Sequence, residues 1–198
     1  MNIDQLFNQN PSQERRLILE AMAQSFSQEN NLKVNFICTH NSRRSHFSEV
    51  LFRTAAHYYG LKNVQTFSGG TESTALFPEV AESFSRHGFK VLPIQAYNQQ
   101  AYKIFIENLE KEDTTPVLFS KKYDNEYNAQ ENYHAVMVCD SANESCPVVH
   151  GSKQRHSLMF VDPKKSDGEP NQSYVYDKTL ALIATELAFI ARRVRELI

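Results

Sequence analysis

An apolar run, KVNFI, breaks off at Cys38 into the polar octet CTHNSRRS, and a helical period then carries from Arg43 to Tyr59. This junction constrains the fold more than any other feature, because a strand end feeds directly into a helix start. The same rhythm recurs along the chain. VQTFSGG reads as a strand ending in a glycine pair, and PEVAESFSRHG as a helix that opens at Pro78 and stops at Gly88. HAVMVC reads as a buried strand and SLMFVDP as a shorter one. Asp177 then stands as the cap of a long amphipathic helix, KTLALIATELAFIARRVREL. Strands alternating with helices predict an α/β fold with a parallel sheet covered on both faces.

Two segments lie outside this rhythm. After Pro11, SQERRLILEAMAQSFSQ has a helical period that sets Leu17, Ile18, Met22 and Phe26 along one side. Between Val91 and Asn132, YKIFIE and TPVLFS read as the arms of an inserted β-hairpin. The expectation is one domain over residues 1–198, with a helical extension at 1–31 and an insertion at about 94–131.

Composition narrows the partners. A formal net charge of −2 argues against a broad nucleic-acid or anionic-membrane surface, though not against a small local anion site. No apolar run is long enough to span a bilayer, and MNIDQLFNQNPSQERR lacks a signal-peptide core. A cytoplasmic protein is expected. Its three cysteines are an odd number in a reducing compartment, so each is read for chemistry or packing rather than for a structural disulfide.

A strand-to-helix turn aims several backbone N–H groups at one spot, and the helix dipole adds positive potential there. The backbone of Thr39, His40, Asn41, Ser42 and Arg43 would form an anion cradle around Cys38. A thiol in such a place is expected to be largely thiolate near neutral pH. Arg44, six residues on, can return over the cradle and grip two oxygens of a tetrahedral anion. Ser45 can donate a hydrogen bond to the sulfur, and Asn41 tolerates a left-handed backbone and can brace the loop. A lone cysteine is more often a packing residue, but the C-x5-R-S pattern at this junction suits nucleophilic attack on an oxyanion.

CTHNSRRS resembles the active-site loop of the low-molecular-weight protein tyrosine phosphatase superfamily, which includes the thioredoxin-coupled arsenate reductases. The resemblance implies a three-layer fold with a four-stranded parallel sheet and the loop after its first strand. Two positions depart from the pattern: His40 stands where glycine is commonest, and Arg43 where many members have cysteine or an uncharged residue. Glu49, the segment FSGGTESTALFP and Asp162-Pro163 fall where the family carries its supporting acid, its serine-glycine turn and its general acid. Without the resemblance, Asp-Pro would read as a turn.

VMVCDSANESCP holds Cys139 and Cys146, seven residues apart, 146 − 139. A zinc site, unrelated core thiols and a redox pair are all open to the residues alone. Zinc is the weakest of the three, since the spacing is not CxxC. The resemblance to the arsenate reductases implies the redox pair: Cys38 attacks arsenate, Cys139 attacks Cys38, and Cys146 resolves the disulfide. That cycle needs no metal or organic cofactor and implies a thioredoxin-like reductant. Asp140 and Asn143 resemble a D-x-x-N feature of the phosphatases, so a phosphocysteine mechanism is the alternative. The aromatic residues that usually follow the phosphatases' Asp-Pro are replaced by PKKSDG, with Tyr174 or Tyr176 as substitutes. A non-catalytic oxyanion or redox sensor is a third reading.

The resemblance also bears on loop support. Some arsenate reductases bind potassium through groups matching Asn41, Glu49 and Ser68, and the remaining carboxylate position is Lys121. Its ammonium would replace the ion, or it is simply a solvated surface lysine.

Overall fold

The computed structural model describes residues 3–140, 142 and 148–198. Its centre is a four-stranded parallel sheet in the order β2-β1-β4-β5; the two strands that lie between β2 and β4 in the chain, β3a and β3b, form a separate hairpin. Here β1 is Leu32–Cys38, β2 is Val64–Gly70, β4 is Tyr133–Met137 and β5 is Ser152–Ser157. β1 lies between β2 and β4, and every one of its seven residues pairs with β2, from Leu32 opposite Val64 to Cys38 opposite Gly70. Six of the seven are buried, which is why VNFIC is apolar apart from Asn35, whose amide donates to the Tyr123 carbonyl at 3.1 Å.

The helices are α1 (Ile3–Phe7), α2 (Gln13–Ser27), α3 (Arg44–Tyr58), α4 (Pro78–Arg86) and α5 (Gln172–Leu197). α5 packs against α1, α2, α3 and α4, and α3 lies on β1 and β2. Gly60, at φ +69°, follows the end of α3 in the left-handed conformation that glycine adopts without a Cβ penalty. Among the described residues, no helix is long and apolar enough to cross a membrane.

Four sequence expectations are corrected. The helix after Pro11 forms, but its buried face is Leu19, Met22, Ala23 and Phe26, while Leu17 is 83% exposed. In its first turn Arg15 adds a bidentate pair to Glu186 of α5 at 2.8 Å. The fourth sheet strand is SKQRHS, which precedes SLMFVDP; a polar edge strand gives no apolar signal. Asp177 lies inside α5, which begins at Gln172, and it binds Arg86 and Ser83 instead of capping.

The fourth correction concerns the hairpin. Its arms are Lys90–Ala96 (β3a) and Gln99–Phe105 (β3b), joined by Tyr97 and Asn98 at φ 56° and 58°. Two successive positive φ values make the tight primed turn that suits strand twist. YKIFIE therefore pairs with the chain before it, and TPVLFS contributes only a single bridge, Leu118 to Tyr102. The insertion is clamped to α3 by Arg53, whose Nε donates to Glu110 Oε1 at 2.5 Å, and by Thr54, which donates to Glu110 Oε2 at 2.9 Å. Both Arg53 and Glu110 are buried, so removing either partner alone should cost about 3–5 kcal/mol.

Candidate active site

Four of the segments that carry candidate groups leave the carboxyl ends of the parallel strands, where α/β sheets place their sites. Cys38 ends β1, Gly70 ends β2, Cys139 follows β4, and Asp162 follows β5. The loop after Cys38 is shaped from outside. The Cys38 carbonyl accepts from Thr71 N at 3.1 Å and that of Thr39 from Glu72 N at 2.8 Å. The His40 carbonyl accepts from Ser120 Oγ at 3.1 Å, that of Asn41 from His46 Nε2 at 2.8 Å, and that of Ser42 from Phe77 N at 3.0 Å. In a trans peptide the C=O and the next N–H point opposite ways. Five carbonyls held outward therefore turn the N–H groups of Thr39, His40, Asn41, Ser42 and Arg43 inward. Asn41 N donates to Cys38 Sγ at 3.2 Å.

This wrap needs two bare backbones beside it. A Cβ on Gly70 would meet Glu72 O at 2.0 Å, and one on Gly69 would meet Tyr123 Cα at 2.3 Å. Asn41 takes φ 44°, as its type allows. Arg43, the residue before α3, makes no side-chain cap, so the first-turn N–H groups of that helix are left to a ligand.

Beneath the cradle, Asn41 is the hub. Its amide donates to Ser45 Oγ at 2.9 Å and to Ser68 Oγ at 3.0 Å, and its Oδ1 accepts from Lys121 N at 2.8 Å. Ser45 lies 3.1 Å from Cys38 Sγ, and with its oxygen occupied by Asn41 it can donate to the sulfur. Sequence reasoning missed His46. It is fully buried, donates to the Asn41 carbonyl and lies 3.2 Å from Ser68 Oγ, so Nδ1 is the acceptor. Burial pushes its pKa down to about 3, assisted by the Lys121 charge, which leaves the ring neutral. The only signal in the sequence was a histidine on the inner face of α3.

Lys121 is not a solvated surface residue. It is 5% exposed, its ammonium lies 4.6 Å over the Phe119 ring, and burial pushes its pKa down against the attraction of Glu49. Glu49 is also buried, and its Oε2 has no hydrogen-bond partner among the described residues.

The two arginines diverge. Arg44 forms an ion pair with Asp162 and donates to the Phe160 carbonyl at 2.9 Å. Arg43 pairs with Asp167, donates to Tyr176 Oη at 2.6 Å and lies 4.2 Å over the Phe77 ring. Tyr176 is fully buried in this contact, its pKa raised by burial and by Asp167, and so it cannot flank a substrate; Tyr174 remains exposed. Asp162 also accepts from Lys164 N at 3.0 Å, which opens the short 3-10 turn Pro163–Ser166. Cys38, Thr39, His40, Ser42, Arg43, Arg44 and Asp162 enclose a cavity of about 10 Å³. A larger groove of about 520 Å³ shares His40, Ser42 and Arg43 with it and continues along Phe77 to Lys164.

Cys139 is buried against the loop, with Sγ 3.4 Å from Thr39 Oγ1 and accepting from Ala142 N at 3.4 Å. Cys38 and Cys139 are both free thiols. Cys146 and Asn143 lie outside the described residues. The structure thus brings Cys38, Arg44, Ser45, Asp162 and Cys139 to one end of the sheet.

Fold and loop together define an α/β oxyanion-binding domain with a thiol at the centre of its cradle. The chain belongs to the low molecular weight phosphotyrosine protein phosphatase family, a family of enzymes whose model matches residues 33–196. Similar solved structures include a low molecular weight protein tyrosine phosphatase from Bacillus subtilis, 16% identical with a TM-score of 0.55, covering 83% of this chain and 98% of that one. Another is a low molecular weight phosphotyrosine phosphatase from Vibrio cholerae O395, at 17% identity and a TM-score of 0.50, covering 81% and 94%. An arsenate reductase from Archaeoglobus fulgidus is 20% identical with a TM-score of 0.46, covering 76% and 95%. No curated protein matches the chain significantly. At these identities the likeness to the two phosphatases speaks for the fold alone.

Proposed function

We propose that this protein is an arsenate reductase in which Cys38 attacks a tetrahedral oxyanion and Cys139 and Cys146 carry the electrons away. The observation that carries the reading is Cys139 Sγ at 3.4 Å from Thr39 Oγ1, a second thiol buried against the residue that follows the nucleophile. Hydrolysis of a phosphate ester has no use for a thiol there.

Arsenate enters the cradle, held by the inward N–H groups and by Arg44, which must leave Asp162 to reach it. The Cys38 thiolate, assisted by the Ser45 hydroxyl, bonds to arsenic. One arsenic hydroxyl departs as water, with Asp162 supplying the proton. The Cys139 thiolate attacks Cys38 Sγ, the sulfur–arsenic bond breaks, and its electron pair stays on arsenic, which falls from the +5 to the +3 state. Arsenite leaves and a Cys38–Cys139 disulfide remains. Cys146 attacks Cys139 and frees Cys38, and an external thioredoxin-like dithiol reduces Cys139–Cys146. This cycle requires a reducing compartment, which the reading takes to be the cytoplasm.

The second reading is a tyrosine-type phosphatase, and the groove favours it. About 520 Å³ lined by Phe77, His40 and Lys164 is more room than arsenate needs and would suit the organic part of a phosphomonoester. Cys38 would then form a phosphocysteine that water hydrolyses. Measuring arsenite release and aryl phosphate hydrolysis on one preparation separates the two. Arsenite released in the presence of a dithiol supports the reductase; ester hydrolysis without arsenite supports the phosphatase.

A further inference from the structure

A second cavity, of about 250 Å³, lies behind the cradle. The insertion supplies most of it: Tyr97 from the hairpin turn, then Val117, Phe119, Lys121, Tyr127 and Asn128, closing against Glu49 of α3 and Thr66 of β2. Its inner end is polar and unfinished. Glu49 Oε2, Thr66 Oγ1 and Asn128 Oδ1 are buried without a hydrogen-bond partner among the described residues. Asn128 spends its amide N–H groups on the Ser68, Lys122 and Tyr123 carbonyls at 3.0–3.2 Å, so its oxygen is left as an acceptor. Lys121 and Glu49, both nine-tenths or more buried, line the same space; Glu49 attracts the Lys121 ammonium, and no ion pair at contact distance joins them among the described residues. A buried carboxylate oxygen left without a hydrogen bond is costly. The outer end is aromatic. Tyr97 stacks on Phe119 at 4.0 Å between ring centroids, and Tyr127 lies 4.8 Å from Tyr97; both tyrosines are about half exposed at the mouth.

We propose that this cavity binds a small aromatic molecule with a neutral donor–acceptor edge, of the carboxamide or urea type. The carbonyl oxygen accepts from Lys121, the amino group donates to Glu49 and Asn128, and the ring lies against the tyrosines and Phe119. A ligand anion would satisfy Lys121 but meet Glu49, and a ligand cation would satisfy Glu49 but meet Lys121. A neutral dipole serves both poles. The volume, about 250 Å³, lies just below the usual ~300–1,000 Å³ of ligand sites, which suits a single ring and excludes larger molecules. The site stands whatever chemistry the cradle performs.

The test is calorimetric titration of the full chain with benzamide, benzoate and benzylamine, which share a ring and differ in charge. Benzamide should bind saturably and about tenfold or more tighter than either ion. Val117→Trp, at a partly exposed position, should fill the cavity and abolish benzamide binding, and Tyr127→Ser should weaken it, with both variants keeping the wild-type circular dichroism. Benzoate or benzylamine binding as tightly as benzamide would overturn the dipolar assignment. Absence of saturable benzamide binding up to millimolar concentration, or undiminished binding by folded Val117→Trp, would mean that the cavity holds only solvent.

Discussion

Arg44 and Asp162 are bonded to each other across the mouth of the cradle, so the group expected to grip the anion and the group expected to deliver the proton are held as an ion pair. An entering oxyanion must take Arg44 from Asp162. Removing the competing carboxylate should therefore separate binding from turnover. Asp162→Asn should bind inorganic phosphate and arsenate more tightly than wild type. Any aryl phosphate hydrolysis should fall by about 10²–10⁴, the usual worth of a general acid. Unchanged turnover in this variant would remove Asp162 from the mechanism.

The arginines should not be equivalent. Both arginines border the small cavity, but Arg43 is committed to Asp167, Tyr176 and the Phe77 face, whereas the partner of Arg44, Asp162, itself lines that cavity. Arg44→Lys should weaken phosphate binding more than Arg43→Lys, because an ammonium cannot supply the bidentate fork. Inhibition constants for phosphate measure this, and equal losses would contradict the assignment.

Glycines near the site should differ sharply. Gly70→Ala places a methyl 2.0 Å from Glu72 O, which is backbone and cannot swing away. It should cost at least the ~1–3 kcal/mol of ordinary overpacking and distort the cradle, lowering both Tm and activity. Gly60→Ala meets nothing within 4 Å and strains only its φ of +69°, at about 1–2 kcal/mol, with activity per folded molecule preserved. Similar activity losses in both would mean that the close approach at Gly70 does not shape the loop.

Acid should destabilise the fold before its carboxylates titrate. Burial pushes His46 down to about 3 and His156 to about 4, and lowers His134 as well, although Glu29 pulls that one back up. In the unfolded chain each takes up a proton near pH 6.5, so the folded state holds fewer protons between that value and its own pKa. Stability is then full above about pH 6.5 and lost as pH falls below it, by up to about 1.4 kcal/mol per pH unit for each such histidine. Urea midpoints between pH 7 and pH 5 measure the slope, and His156→Gln should flatten it. A flat or rising wild-type profile in this window contradicts the burial of these rings as neutral species.

The cradle was legible because its code is local. A cysteine at a strand end, an arginine six residues on and a helix start all fall within CTHNSRRS, and Ser45 and the Asn41 backbone act on Cys38 nearby in the chain. What escaped depends on distant partners. His46 matters because Ser68 of β2 meets it, and Lys121 is buried because the insertion folds over β2, which no periodicity conveys. SKQRHS was unreadable as a strand because an edge position tolerates polar side chains. Leu17 and Ile18 misled for the opposite reason: they are apolar yet exposed, while ion pairs such as Arg15 to Glu186 help seat α2.

The most direct test of the account is a thiol count across one turnover. Disulfide formation requires the Cα atoms of Cys139 and Cys146 to come within about 4.4–6.8 Å of each other. Fully reduced protein, with its three cysteines, is mixed with arsenate in the absence of any reductant, and arsenite and free thiols are quantified. The account predicts one arsenite per chain, two thiols consumed, and a Cys139–Cys146 disulfide by peptide mapping; Cys146→Ser should still release one arsenite but retain Cys38–Cys139. No arsenite and three intact thiols, with aryl phosphate hydrolysed at the same rate by wild type, Cys139→Ser and Cys146→Ser, would contradict it.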